Sequence, residues 1–198
     1  EKDEKLVLVA GEKEMGINFP LAVNVIEAIA NLPRPQQYRM IFTIHPGHVP
    51  PPGGARAMEC YEELERYNSN VRVELSCKAE PYGIGTPDMV PGADVVIGTN
   101  STVQIQAAYL RIPAIAVLLR RSFRDATLPR KHRGWWPPCD SGAIAPVYGL
   151  YSKKTASLIR NLLAPGGADE MCSAQQETFP PQSVGRAYRI MAEAVKRY

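Results

Sequence analysis

The residues able to do chemistry in this chain gather where short apolar runs stop. Five such places stand out: "AGEKEMG", "IHPGH", "GTNST", "LLRRSFRD" and "VYGLYSKK". They supply glycines, hydroxyls, an amide, a histidine and arginines, all suited to holding an anion. No nucleophile stands beside a base, so no catalytic residue is assigned from the sequence. The "GTNST" stretch is the most telling. Asn100, Ser101 and Thr102 open the helix-like stretch "STVQIQAAYLR". A helix N-terminus leaves backbone N–H groups unpaired, and its dipole adds positive potential there. A phosphate accepts hydrogen bonds from such amides and neighbouring hydroxyls. Gly98 permits a tight turn or a close ligand. Asn100 or Ser101 also suits a plain helix cap, and the two roles are compatible. The "NST" triplet fits a glycosylation sequon, but no secretory signal accompanies it.

Arg120 and Arg121 follow a later apolar run and bring positive charge to the same kind of position. They begin the basic stretch "RRSFRDATLPRKHRG", which reads either as a local anion site or as a solvated loop. His45 suits a ligand hydrogen bond or a proton transfer, with packing beside Pro46 as the plainer role. Gly11 and Gly16 bracket the first predicted strand-to-helix turn. That pair is not a G-x-G-x-x-G fingerprint, and no Walker-type lysine loop is present. Trp135 and Trp136 suit a hydrophobic gap or a partner surface better than a stacked base.

The elements that must position these residues follow from the pattern. The chain has 198 residues, is 45% hydrophobic and 22% charged, and carries a net charge of +3. This is a globular composition with enough apolar material for a core, and too mild a charge for nucleic acid. No stretch reaches the roughly 18 apolar residues of a membrane span. The four cysteines are scattered without a C-x-x-C pair, which predicts reduced thiols, no metal site and a cytoplasmic setting. Apolar runs at "KLVLVAG", "YRMIFTIH", "VRVEL", "DVVIGT", "PAIAVLL" and "AIAPVYG" read as strands. Helical spacing appears in "NFPLAVNVIEAIANL", "ARAMECYEELERY", "STVQIQAAYLR", "YSKKTASLIRNLLA" and the last piece, "PQSVGRAYRIMAEAVKRY". "TPDMVPGA" reads as a short helix. Such alternation predicts an α/β fold: one doubly wound, Rossmann-like domain over residues 1–198, its parallel sheet covered by helices on both faces.

The opening "LVLVAGE", the "HPG" after the second strand and the unit "ADVVIGTNSTVQIQAAYLRIPAIAVLLR" resemble the C-terminal, nucleotide-sugar-binding half of GT-B glycosyltransferases. Within that fold the likeness is to UDP-N-acetylglucosamine 2-epimerases and lipid-A-disaccharide synthases. The resemblance implies that Asn100, Ser101 and Thr102 hold the donor's diphosphate, that His45 lies on the nucleotide side, and that Gly11 is the glycine after the first strand. It implies a UDP-sugar as ligand, no cofactor, and an N-terminal GT-B half supplied in cis or in trans. The start at Glu1 rather than Met suits a fragment of such a two-domain protein. The chain departs from the epimerases in having Gln104, Gln106 and alanines where they carry acids, and a basic "DATLPRKHR" where they carry an acidic turn. The function implied is donor binding for glycosyl transfer, with the leaving diphosphate stabilised by helix-end amides and arginines. The alternative is a non-catalytic binding or assembly module whose partner surface is the basic loop with Trp135 and Trp136.

Overall fold

The computed structural model describes residues 4–13, 15–45, 55–76, 86–119 and 137–180. Six strands form one parallel sheet: β1 (Lys5–Ala10), β2 (Tyr38–Thr43), β3 (Arg72–Leu75), β4 (Val95–Gly98), β5 (Ala114–Leu118) and β6 (Ala145–Tyr148). Their spatial order is β3-β2-β1-β4-β5-β6. The chain therefore winds outward from β1 in one direction, then returns to β1's other side at β4 and winds the opposite way. The reversal falls between β1 and β4, with Val9 beside Ile97 in register. This is the doubly wound Rossmann-like architecture, in which ligands bind in the crevice beyond the strand ends at such a reversal.

Because a parallel sheet is buried on both faces, both side-chain sets of each strand must be apolar. On one face Val7, Val9, Met40, Phe42, Val95, Ile97 and Val117 meet α1 (Met15–Ala30), α2 (Ala55–Arg66) and α6 (Ser152–Leu162). On the other face Leu8, Ile41, Val96, Ala114 and Ala116 meet Ala107 of α4 (Thr102–Tyr109) together with Val90 and Ile144. In α1, Leu21, Val25 and Ile29 recur every fourth residue and are fully buried. Burying each such side chain contributes about 1.5–3 kcal/mol.

Several helix positions differ from the sequence expectation. Helix α1 begins at Met15, three residues before the expected "NFP" start, so Gly16 lies inside the helix rather than in a turn. A Cβ at Gly16 would meet nothing within 4 Å. The helix tolerates Pro20 in its interior. Short helices α3 (Thr86–Met89) and α5 (Pro137–Asp140) precede β4 and β6. Helix α7 (Asp169–Thr178) carries no apolar periodicity, and the sequence reading passed over it. It is held instead by buried Met171 and by Gln175, whose Nε2 donates to the carbonyls of Ile112 and Ala143 at 3.0 and 3.1 Å. Arg120, Arg121, Trp135, Trp136 and the expected final helix lie outside the described residues.

Candidate functional site

The reversal between β1 and β4 brings together the loops after both strands. Gly11 leaves β1 beside the end of β2, and its N–H donates to the Thr43 carbonyl at 3.0 Å. A Cβ on Gly11 would lie 2.1 Å from that carbonyl oxygen, so close backbone packing alone demands glycine here. The Thr43 hydroxyl donates to the Val9 carbonyl at 3.2 Å, tying the two strand ends together. Next, Glu12 is clasped by Asn18 of α1. Its N–H donates to Asn18 Oδ1 at 2.7 Å, and Asn18 Nδ2 donates back to the Glu12 carbonyl at 2.9 Å. Asn18 is fully buried and also donates to the Tyr61 hydroxyl at 2.8 Å, which anchors the loop to α2.

Across the crevice, Gly98 ends β4 and buried Thr99 turns the chain toward α4. The Thr99 hydroxyl donates to Glu12 Oε1, so the two loops touch at the reversal itself. Ser101 is the N-cap of α4, and its Oγ accepts from the Val103 N–H at 3.4 Å. Gln104 completes a capping box: its Oε1 accepts from the Ser101 N–H at 2.9 Å. Its Nε2 donates to the Ile115 carbonyl at 2.6 Å. Gln104 is fully buried, and a Cβ on Gly98 would press against its amide at 3.0 Å. One side chain therefore fastens the "GTNST" loop to β5. The sequence signal for it was the S-x-x-Q spacing at the helix start.

Of the expected site residues, Asn100, Ser101 and Thr102 stand together at the C-terminal rim, beside the reversal. Asn100 and Thr102 are exposed, and the Ser101 hydroxyl is engaged in the cap. The Thr102 N–H has no hydrogen-bond partner among the described residues. Gly11 and half-buried His45 share the rim, His45 two residues past β2. Arg120 and Arg121 follow β5 but lie outside the described residues. Two crevice residues, Glu12 and Thr99, were not singled out from sequence. Nothing in their local pattern marks them, since only the β1–β4 pairing makes them neighbours. Among the described residues no group of three His, Cys, Asp or Glu side chains gathers to hold a metal.

Further along the rim, Asn24 of α1 caps α6 from a distance. With its amide oriented to satisfy both ends, Oδ1 accepts from the Tyr151 and Ser152 N–H groups at 3.1 and 3.0 Å, and Nδ2 donates to Thr155 Oγ1 at 3.1 Å. This fixes the loop after β6; Tyr148 at the end of the strand and Leu150 and Tyr151 in the loop are exposed.

Solved structures similar to this chain include UDP-GlcNAc 2-epimerases and glycosyltransferases. The UDP-GlcNAc 2-epimerase of Neisseria meningitidis, bound to UDP-GlcNAc, superposes with a TM-score of 0.57 at 12% identity, over 100% of this chain and 45% of that one. A spinosyn rhamnosyltransferase complexed with thymidine diphosphate gives 0.56 at 15% identity, over 94% of this chain and 45% of that one. The Methanocaldococcus jannaschii UDP-GlcNAc 2-epimerase, in complex with UDP-GlcNAc and UDP, gives 0.51 at 17% identity, over 96% and 46%. The chain has the fold of half of such an enzyme. It spans less than half the length of these structures. No family profile and no curated protein matches the sequence. The resemblance read from the "LVLVAGE", "HPG" and "GTNST" stretches thus holds at the level of fold, with glycosyltransferases and epimerases of the GT-B kind as structural neighbours. No described helix is long and apolar enough to cross a membrane.

Proposed function

We propose that this chain binds a nucleoside diphosphate sugar at the crevice between β1 and β4 and is the donor-binding half of a glycosyltransferase or related sugar-nucleotide enzyme. The observation that carries the reading is the open N-terminus of α4 at the strand-order reversal. There the exposed Thr102 presents a hydroxyl and an N–H that has no partner among the described residues, beside exposed Asn100. These are donors for a diphosphate, held rigidly by the Gln104 anchor and reinforced by the helix dipole. Arg120 and Arg121, just past β5, would add charge, and His45 past β2 would serve the nucleotide side. In glycosyl transfer such fixed donors stabilise the diphosphate as the sugar–phosphate bond breaks, without a metal. That structural neighbours carry UDP-GlcNAc, UDP or thymidine diphosphate supports the same ligand class. A second domain would complete the cleft, and the exposed Tyr148, Leu150 and Tyr151 at this rim suit a surface for it.

The test is titration calorimetry of the full chain with UDP and UDP-sugars. Saturable binding is expected, and Thr102→Pro should weaken it. Proline is well accepted at the first helical position, and Ser101 already has the extended backbone (φ −81°, ψ 147°) that a following proline requires. The substitution therefore removes the free N–H together with the hydroxyl while sparing the helix. Losing a hydrogen bond to a charged group should cost about 1.5–3 kcal/mol, roughly 10- to 100-fold in affinity. Absent binding, or binding that Thr102→Pro leaves unchanged, would reject the site.

A further inference from the structure

Glu12 is the crevice group that the donor-binding reading leaves without a task. Its backbone is fixed from both sides by Asn18, and Asn18 is pinned to Tyr61, so the residue has a defined place. Oε1 accepts the Thr99 proton. Oε2 has no hydrogen-bond partner among the described residues, although the residue is half-buried. Asn100 Oδ1 lies 3.2 Å from the same Thr99 hydroxyl, whose single proton cannot serve both acceptors. The loop after β1 therefore brings a carboxylate acceptor to the reversal, while the first turn of α4 brings the Thr102 N–H and hydroxyl as donors.

That asymmetry constrains how a ligand lies. A carboxylate near a diphosphate repels it, on the order of tenfold in affinity for each extra charge at about 7 Å near a protein surface. A carboxylate accepts hydrogen bonds from hydroxyls without such a penalty, and ionised acceptors make the stronger bonds. A sugar nucleotide presents both kinds of group, phosphates and then glycosyl hydroxyls. Its esterified terminal phosphate also carries one charge fewer than that of the bare diphosphate.

We propose that Glu12 is a specificity-determining contact: its free carboxylate oxygen accepts from hydroxyls of the transferred sugar and disfavours the bare nucleoside diphosphate. This rests on the donor-binding reading and adds to it a direction for the ligand. The phosphates lie toward Thr102 and the sugar toward the loop after β1. The same charge would favour release of the nucleoside diphosphate once the sugar has left.

The test compares UDP with UDP-glucose and UDP-N-acetylglucosamine on the full chain, as wild type, Glu12→Gln and Glu12→Ala, in Mg2+ and in EDTA. Glutamine keeps the shape and the acceptor for Thr99 but removes the charge; alanine removes both. The wild type should prefer at least one UDP-sugar over UDP by about tenfold or more. Both variants should bring that ratio close to one, with UDP bound more tightly by Glu12→Gln. A ratio unchanged in both variants overturns the proposal while leaving the donor-binding reading intact. UDP binding that needs Mg2+ in the wild type and not in Glu12→Gln overturns it in favour of a bridging cation. A wild type that binds none of the three ligands fails the donor-binding reading, and this inference with it. Thr102→Pro separates the two ideas, since it should weaken UDP and UDP-sugars alike and leave their ratio in place.

Discussion

Replacing Gln104 with leucine isolates the anchor on which the site's geometry depends. Leucine has nearly the volume of glutamine, so no large cavity opens, but both hydrogen bonds of the amide disappear. The Ile115 carbonyl then loses its 2.6 Å donor at a fully buried position, and the Ser101 N–H loses its 2.9 Å acceptor nearer to solvent. The Ile115 carbonyl keeps its partner in the β4–β5 ladder, so each of the two lost hydrogen bonds costs about 0.5–1.5 kcal/mol. The expected loss is about 1–3 kcal/mol, or a fall in Tm of roughly 2–12 °C for a chain of this size. Urea unfolding followed by circular dichroism would measure it, an unchanged m-value showing that only stability has moved. The control is Gln106→Ala, which removes an exposed hydrogen bond to the Pro87 carbonyl and should cost less than about 1 kcal/mol. If Gln104→Leu proved no more damaging than Gln106→Ala, the capping box would not be what holds the loop, and the rigidity claimed for the phosphate end would be wrong.

Other consequences can be checked on the same protein. Gly98→Ala should destabilise by about 1–3 kcal/mol, because its Cβ would press on an amide that is itself backed by β5. In a Gln104→Ala background most of that penalty should vanish, a coupling that a double-mutant cycle reads directly. At the β2–β3 pair, burial pushes the Glu74 carboxyl up, but the hydrogen bond and charge of Arg39, with Arg72, outweigh it and hold Glu74 below its ordinary value of 4.5. Its contribution to stability is thus present above that value and lost as pH falls through the depressed one; Glu74→Gln should flatten this acid limb in denaturation curves taken from pH 6 down to pH 3. Burial, and then neighbouring Asp140, push the Cys139 thiol up to about 11. Iodoacetamide at pH 8 should therefore alkylate Cys139 on the order of 100-fold more slowly than an unhindered cysteine, as peptide mapping would report. A rate equal to that of free cysteine would contradict its burial.

The sequence by itself determined the six strands, most of the helices and the placing of Asn100, Ser101 and Thr102 at a strand-to-helix junction. It could do so because strands buried on both faces must be apolar throughout, and because helices that cover them must repeat at 3.6 residues. Local rules failed where the stabilising contacts are remote. Helix α7 is held by Gln175 reaching two backbone carbonyls and by Met171, neither of which leaves a periodic signal. The cap of α6 comes from Asn24, more than a hundred residues earlier in the chain. Only the tertiary structure decided which strand ends form the crevice, since strand order follows from packing across the whole sheet. Setting β4 beside β1 put the Glu12 carboxylate against Thr99, 87 residues away, and so placed a negative charge where the local sequence had suggested only donors.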